Sequence, residues 1–443
     1  MTRRSLIVFF IVFAAISVFA VIKLYISNPG IDSYFRDKPL KTHVPSTNSH
    51  TKKTIVYSYG GTDHGGSVKE IVRLFQKENP DVEVKLQQLP SSTDYQRNAY
   101  KLALSSGDDS FDVFNADLVW TAEFASANWI LPLDSFFISG DRRMFLPNTI
   151  ESCTYNNKIY AVPHRTDASL LYYRSDIIFN PPKTYKDLID MSKKYMSTPG
   201  IKYGYVFQGK SYEGLVCNAL EFIWNNGGEI VKDGKVVINS PEAIEGLQIF
   251  IDIANSNITS PDVLTFEEED ARLAFQDGTA IFMRNWAFAY KQLNNMYNSE
   301  VKGNVGVCNL PLGPKGKKSI MALGGWNYMM NGHTKNQELA WKFIKWASSY
   351  EMQIVDSVMG GYIPTRQSAY NNSEVLKINP WISQFKSSIG TAKLRPVSPG
   401  YSSISESMQV NFSSALVKKI DAKTAIENIE KDLLRIYNKK SRD

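Results

Sequence analysis

The chain has 443 residues, of which 43% are hydrophobic, 21% charged and 12% aromatic, a globular composition too long for one ordinary core. Its formal net charge of +6 is small and dispersed, which argues against nucleic acid as a partner. Cys153, Cys217 and Cys308 are far apart and form no Cys-x-x-Cys pair, so buried free thiols are expected rather than a disulfide framework or a structural zinc site.

At the N-terminus Arg3 and Arg4 precede a nearly apolar, uncharged run over residues 6–22. Positive charge ahead of such a run holds that end in the cytoplasm and sends the remainder across the membrane. A helix over this run reaches about 25 Å, slightly short of a hydrocarbon core of about 30 Å. Leu24, Tyr25 and Ile26 extend it if Lys23 snorkels. Val18, Phe19 and Ala20 also fit the small-residue rule for signal-peptidase cleavage. Residues 1–26 therefore read as a membrane anchor or a cleaved signal. The anchor is preferred, because no cysteine for lipid attachment follows the run. Residues 27–53, rich in Pro, Ser, Thr, Asn and Lys, have little to bury and read as a flexible tether.

From there the pattern is strand at 54–59, helix through Val68, Ile71, Val72 and Phe75, strand at 82–89, helix at 95–104 and strand at 111–115. This is a doubly wound α/β start, with ligands expected beyond the C-terminal strand ends. The loop Gly61-x-x-x-x-Gly66 has Walker spacing, but Ser67 and Val68 stand where Lys and Ser/Thr are needed, which argues against nucleotide. A loop whose backbone nears a small ligand fits better, with Asp63 offering a carboxylate.

A strand is expected at 158–163, and a helix at 184–195 that opens on Thr184-x-x-Asp187. A strand at 203–207 and an amphipathic helix at 213–224 follow. Ser240 and Pro241 supply an N-cap and N1 proline for a helix bearing Ile244, Leu247, Ile251 and Ile253. Residues 265–272 read as a helix with a Thr265-x-x-Glu268 capping box, stopped by Gly278. A short buried strand at 279–283 then brings Arg284, Asn285 and Trp286 to the end of an element, within reach of a ligand. By position alone Trp286 reads equally well as a core or rim aromatic. After a return strand at 305–311, Gly324 and Gly325 strip the backbone of side chains so that it can approach a ligand or turn sharply, and Trp326 offers a flat face. Thr334-x-x-Gln337 caps a helix with Leu339, Ala340, Phe343, Ile344 and Ala347, and helices close the chain over 403–437.

Several of these stretches together resemble one family. Phe275, Gly278, Ala280, Met283, Asn285 and Trp286 are similar to the signature of the family 1 extracellular solute-binding proteins, the sugar-capturing components of ABC importers. So are Asp117 through Asp134, where Asn128 replaces the usual glycine, and Leu171-Tyr172-Tyr173-Arg174-Ser175-Asp176. The blocks Leu323-Gly324-Gly325-Trp326, Ala340 through Gln353, Gly360 through Arg366 and Leu394-Arg395-Pro396 complete the match, in order, from about Thr54 to Tyr437.

The resemblance implies an α/β, two-lobed, type II periplasmic-binding-protein-like fold with three hinge crossovers and a cleft that closes on ligand. Residues 54–164 and 307–357 would form one lobe, 165–306 and 358–443 the other. Within the trehalose/maltose-type branch it implies ligand roles for Asp117, Asp167 and Arg395. With Asp63, Trp286, Gly325 and Trp326 these supply what a neutral sugar needs: acceptors and a planar donor for hydroxyls, and indole faces for C–H groups. Asp117 also suits a helix N-cap, Arg395 a solvated surface, and Tyr172, Tyr173 and Arg174 structural packing.

The implied protein is a non-enzymatic, cofactor-free and metal-free monomer. It would work at the extracytoplasmic face of the membrane, or in the periplasm if cleaved, passing a sugar such as trehalose or maltose to ABC permease subunits. The alternatives are a ligand-sensing receptor domain and a secreted glycoside hydrolase, which needs two carboxylates about 5–9.5 Å apart across the scissile bond.

Overall fold

The computed structural model describes residues 52–440 apart from Thr62 and Met296. The expected anchor or signal, and the tether up to Thr51, lie outside the described residues. Among those described, no helix is long and apolar enough to cross a membrane.

Strand β1 (Lys53–Gly60) pairs in parallel with β2 (Val82–Leu89) and β3 (Val113–Asp117). Helix α1 (Ser67–Glu78) links β1 to β2 and α2 (Thr93–Ser105) links β2 to β3. Helix α1 buries Val68, Ile71, Val72 and Phe75, a stripe at i, i+3, i+4 and i+7 that faces the sheet. Then comes β4 (Ala161–Arg174), 14 residues long, or about 46 Å of extended chain. Helix α3 (Tyr185–Tyr195), β5 (Tyr203–Val206), α4 (Glu213–Asn225), α5 (Pro241–Ala254), α6 (Glu268–Gln276), β6 (Ala280–Trp286), β7 (Val305–Cys308) and β8 (Leu323–Met330) follow. The chain closes with α7 (Gln337–Ala347), α8 (Tyr350–Gly360), β9 (Ile363–Pro364), α9 (Tyr401–Leu416) and α10 (Ala422–Lys440).

The described strands of the main sheet run in the order β2-β1-β3-β8-β4-β6-β5, with β7 and β9 also pairing with β4. The long strand organises both halves. Up to Ala168 it pairs antiparallel with β8; from Ser169 onward it pairs antiparallel with β6. One strand thus passes from one packed layer to the next, and the change of partner falls beside Asp167. Each half has its own aromatic core. Tyr57, Phe75 and Phe343 meet in the first. Tyr185, Phe222 and Phe250 stack at 4.2 and 4.5 Å in the second.

Local signals behave as expected at several ends. Thr184 and Asp187 form a reciprocal capping box, and Ser240 accepts from the Ala243 amide with Pro241 in the first turn. Other expectations need correction. The capping box of α6 is Glu267 with Asp270, not Thr265 with Glu268, which leaves Glu268 free to face inward. Strand β6 does not stop at Met283; it runs on through Trp286, so Arg284 and Asn285 sit within the sheet. Helix α4 is not amphipathic: all of its residues are buried, because α5 and α9 pack against it as well. Thr334 caps no helix; its hydroxyl turns to Asp112, and Asn336 precedes α7. The three cysteines are free thiols, with Cys153 and Cys217 buried and Cys308 half-buried.

Candidate functional site

Trp326 on β8 is in register with Asp117 on β3 on one side and with Arg165 on β4 on the other. Directly paired residues of antiparallel strands project from the same face, so an acid, an indole and a guanidinium form a row across three strands. Gly324 pairs with Asp167 and Gly325 with Thr166. Along β4, Arg165 and Asp167 are two apart and therefore share a face. A cavity of about 320 Å³ opens here, lined by Asp117, Arg165, Asp167, Trp286, Gly325, Trp326 and Arg395 among others.

Trp286 closes β6. The Arg284 guanidinium lies 4.1 Å from its ring, and its Nε1 donates to Glu268 Oε1 at 3.2 Å. Arg284 is 1% exposed and donates from Nε and Nη2 to Glu221 and from Nη1 to Gln208. The indole therefore rests on a buried ion pair. Gly324 is needed on the other strand, because a Cβ there would come within 2.9 Å of Trp286 Cζ3. Gly325 has a different reason: its φ is +136° and a Cβ would meet the Arg165 carbonyl oxygen at 2.5 Å.

Asp167 Oδ1 accepts the backbone amides of Ala287 at 2.7 Å and Ala168 at 3.0 Å. Burial outweighs these bonds and raises its pKa to about 7, so near neutrality it can both donate to and accept from a hydroxyl. Burial also raises Glu268 and Asp117 above the usual carboxylate range. Asp117 accepts from the Val119 amide at 3.2 Å, as its N-cap reading expects, and it also lines the cavity.

Arg395 is buried rather than solvated. Its Nη1 donates to Glu213 at 2.6 Å and its Nη2 to Asp117 at 3.2 Å, while Tyr401 and Ser405 donate to the same Glu213 carboxylate. Another part of the wall is aromatic: His64 stacks on Phe288 at 5.1 Å, with Tyr362 nearby. Burial lowers His64 to about 4, so it is a neutral ring at physiological pH.

Of the seven residues expected from sequence, Asp117, Asp167, Trp286, Gly325, Trp326 and Arg395 converge on this cavity. Asp63 does not. Its carboxylate accepts the amides of Val68 at 2.9 Å and Lys69 at 3.4 Å at the start of α1, which uses it as a helix-terminal acid. Sequence reasoning passed over Arg165, Glu213, Glu268, Phe288 and Tyr362. Tyr362 stood inside the block from Gly360 to Arg366, and Arg165 two residues before Asp167. Glu268 was masked by the wrong capping box. Nothing local distinguishes Glu213 from any first-turn acid.

A sheet shared by two packed halves, with a cavity lined by aromatics, carboxylates and arginines where one strand changes partner, defines a two-lobed α/β binding protein. The profile of the bacterial extracellular solute-binding proteins matches residues 60–354, and the chain belongs to that family. A probable ABC transporter-binding protein of Deinococcus radiodurans is 33% identical over 368 residues, covering 80% of this chain and 86% of the relative. The maltose-bound MalE3 of T. maritima superposes with a TM-score of 0.82 at 36% identity, over 86% of this chain and 98% of that one, and carries the type II periplasmic-binding-protein fold over to this chain. The maltotriose-binding protein of Pyrococcus abyssi is 26% identical over 363 residues, 80% of this chain and 76% of its own.

Proposed function

We propose that this chain is the extracytoplasmic substrate-binding component of an ABC importer, and that it captures a neutral α-glucoside of the maltose or trehalose kind. The observation that carries this is the convergence of two indoles, Trp286 and Trp326, with Asp117, Asp167 and Arg395 in one cavity. Indole faces suit the C–H side of a sugar, carboxylates accept its hydroxyls, and the guanidinium donates in plane. Two relatives, one maltose-bound and one named for maltotriose, support the same class.

In this reading residues 54–164 with 307–357 and residues 165–306 with 358–443 are the two lobes. They hinge along β4, and the protein works as a monomer that hands its sugar to permease subunits. Residues 1–26 export it and either anchor it or are removed, with 27–53 as tether. The sugar leaves unchanged.

The test is a thermal-shift screen of residues 52–443 against a disaccharide panel. Maltose or trehalose is expected to raise the melting temperature, and Trp286→Ala and Asp167→Ala each to abolish that rise while the apo protein stays folded. Retained shifts in both variants would remove the site assignment. Glucose released from maltose on incubation would make the chain a hydrolase.

A further inference from the structure

Among the described residues that line the cavity, Arg165 is the cation with the most donors left over. Arg165 is 7% exposed and lines the cavity, yet its Nε and Nη1 find no hydrogen-bond acceptor. Asp356 Oδ1 lies 3.9 Å from Nη1, beyond hydrogen-bond range, and is engaged by the Ser67 hydroxyl at 2.6 Å. The guanidinium is instead held by its face, 3.7 Å above the Tyr362 ring. Stacking fixes the plane and leaves the N–H edge unspent. Arg284 is different, with Nε, Nη1 and Nη2 all engaged, and Arg395 keeps only Nε over after Nη1 and Nη2 reach Glu213 and Asp117. A buried donor without an acceptor is costly to keep, and a fold retains one where something else supplies the acceptor.

The register says where that acceptor sits. Trp326 lies between Asp117 and Arg165 on adjacent strands, so the two outer Cα atoms are about 10 Å apart. A ring on the indole would meet an acceptor at one edge and a donor fork at the other. We propose that Arg165 is a ligand-binding residue that reads a vicinal pair of hydroxyl oxygens on the sugar ring lying over Trp326. A planar fork matches two adjacent oxygens, which a lysine ammonium does not. The proposal rests on the sugar-binding reading above.

The test is calorimetric titration of the full chain with maltose, trehalose and the monodeoxy maltoses, for wild type, Arg165→Lys and Arg165→Gln. In wild type, two deoxy sugars lacking neighbouring hydroxyls are expected to bind about tenfold more weakly than the parent. In both variants the parent weakens about 10- to 100-fold and the penalty for those two deoxy sugars disappears. Arg165→Lys keeps a cation near Asp356, so apo unfolding of that variant reports the structural share separately. Variants that bind like wild type, or that weaken every sugar equally with the deoxy penalties intact, overturn the assignment while leaving the sugar reading standing. A wild type that binds no sugar of the panel overturns both.

Discussion

The two tryptophans of the cavity stand on different ground. Behind Trp286 the polar groups are matched: Arg284 spends Nε, Nη1 and Nη2 on Glu221 and Gln208, and the indole N–H is taken by Glu268. Beside Trp326 they are not. Arg165 has two nitrogens without acceptors, and the neighbouring Gly325 holds a φ of +136°. One plate is finished by the fold itself, and the other leaves donors that the proposed ligand would meet. A matched buried network rigidifies its surroundings, whereas an unmatched one is a reservoir that ligand binding can draw on.

The largest way to break this contrast is at the finished plate. Arg284→Met leaves Glu221 buried without its partner, and denaturant unfolding is expected to report a loss of about 3–5 kcal/mol. Replacing both members, Arg284→Met with Glu221→Leu, should recover much of that loss. If the double variant is as unstable as the single, Trp286 does not rest on a self-contained pair.

Next in size are the two adjacent glycines. Gly325→Ala must adopt a positive φ and push its Cβ against the Arg165 carbonyl, a backbone atom that cannot yield locally. About 1–3 kcal/mol of stability should go, together with sugar binding. Gly324→Ala presses on the Trp286 ring edge and, less tightly, on Asp167 Cβ, both side-chain atoms of the cavity wall, so binding should suffer more than stability. The reverse order in melting and titration experiments would invert the comparison.

A further effect lies between the plates and is read through pH. Burial raises folded Asp167 from an ordinary 3.8 to about 7, so folding takes up a proton between those values. The Asp167 contribution to stability therefore falls as pH rises from about 4 to 7, at up to about 1.4 kcal/mol per unit, and the loss is complete above 7. Asp167→Asn lacks this contribution, so the difference in stability between wild type and Asp167→Asn should fall from about pH 5 to pH 7 and level off above it. His64, lowered by burial to about 4, destabilises in the opposite direction, as pH falls below its usual range. It is common to both proteins and cancels in their difference. Parallel melting profiles would mean that Asp167 titrates normally.

Much of this molecule was legible in one dimension. The span of β2, the Thr184 box, the Ser240 cap and the glycine stop after α6 follow from rules that act over a few residues, and six of the seven named site residues reached the cavity. Errors arose where distant chain decides. Helix α4 reads as amphipathic, but α5 and α9 cover it. The surface alternative for Arg395 fails, because residues from two other segments, Asp117 and Glu213, draw it into the interior.

The sequence by itself determined the element order, the caps and the family blocks, because each depends on near neighbours or on a motif held in a short window. Tertiary structure alone decided which acids meet which arginines and which strands lie in register. That is why Asp63 ends as a helix-terminal acid and Arg165 as an unspent donor. Hydrogen bonds and desolvation are settled by whatever lies within a few ångströms in space, however far away it stands along the chain.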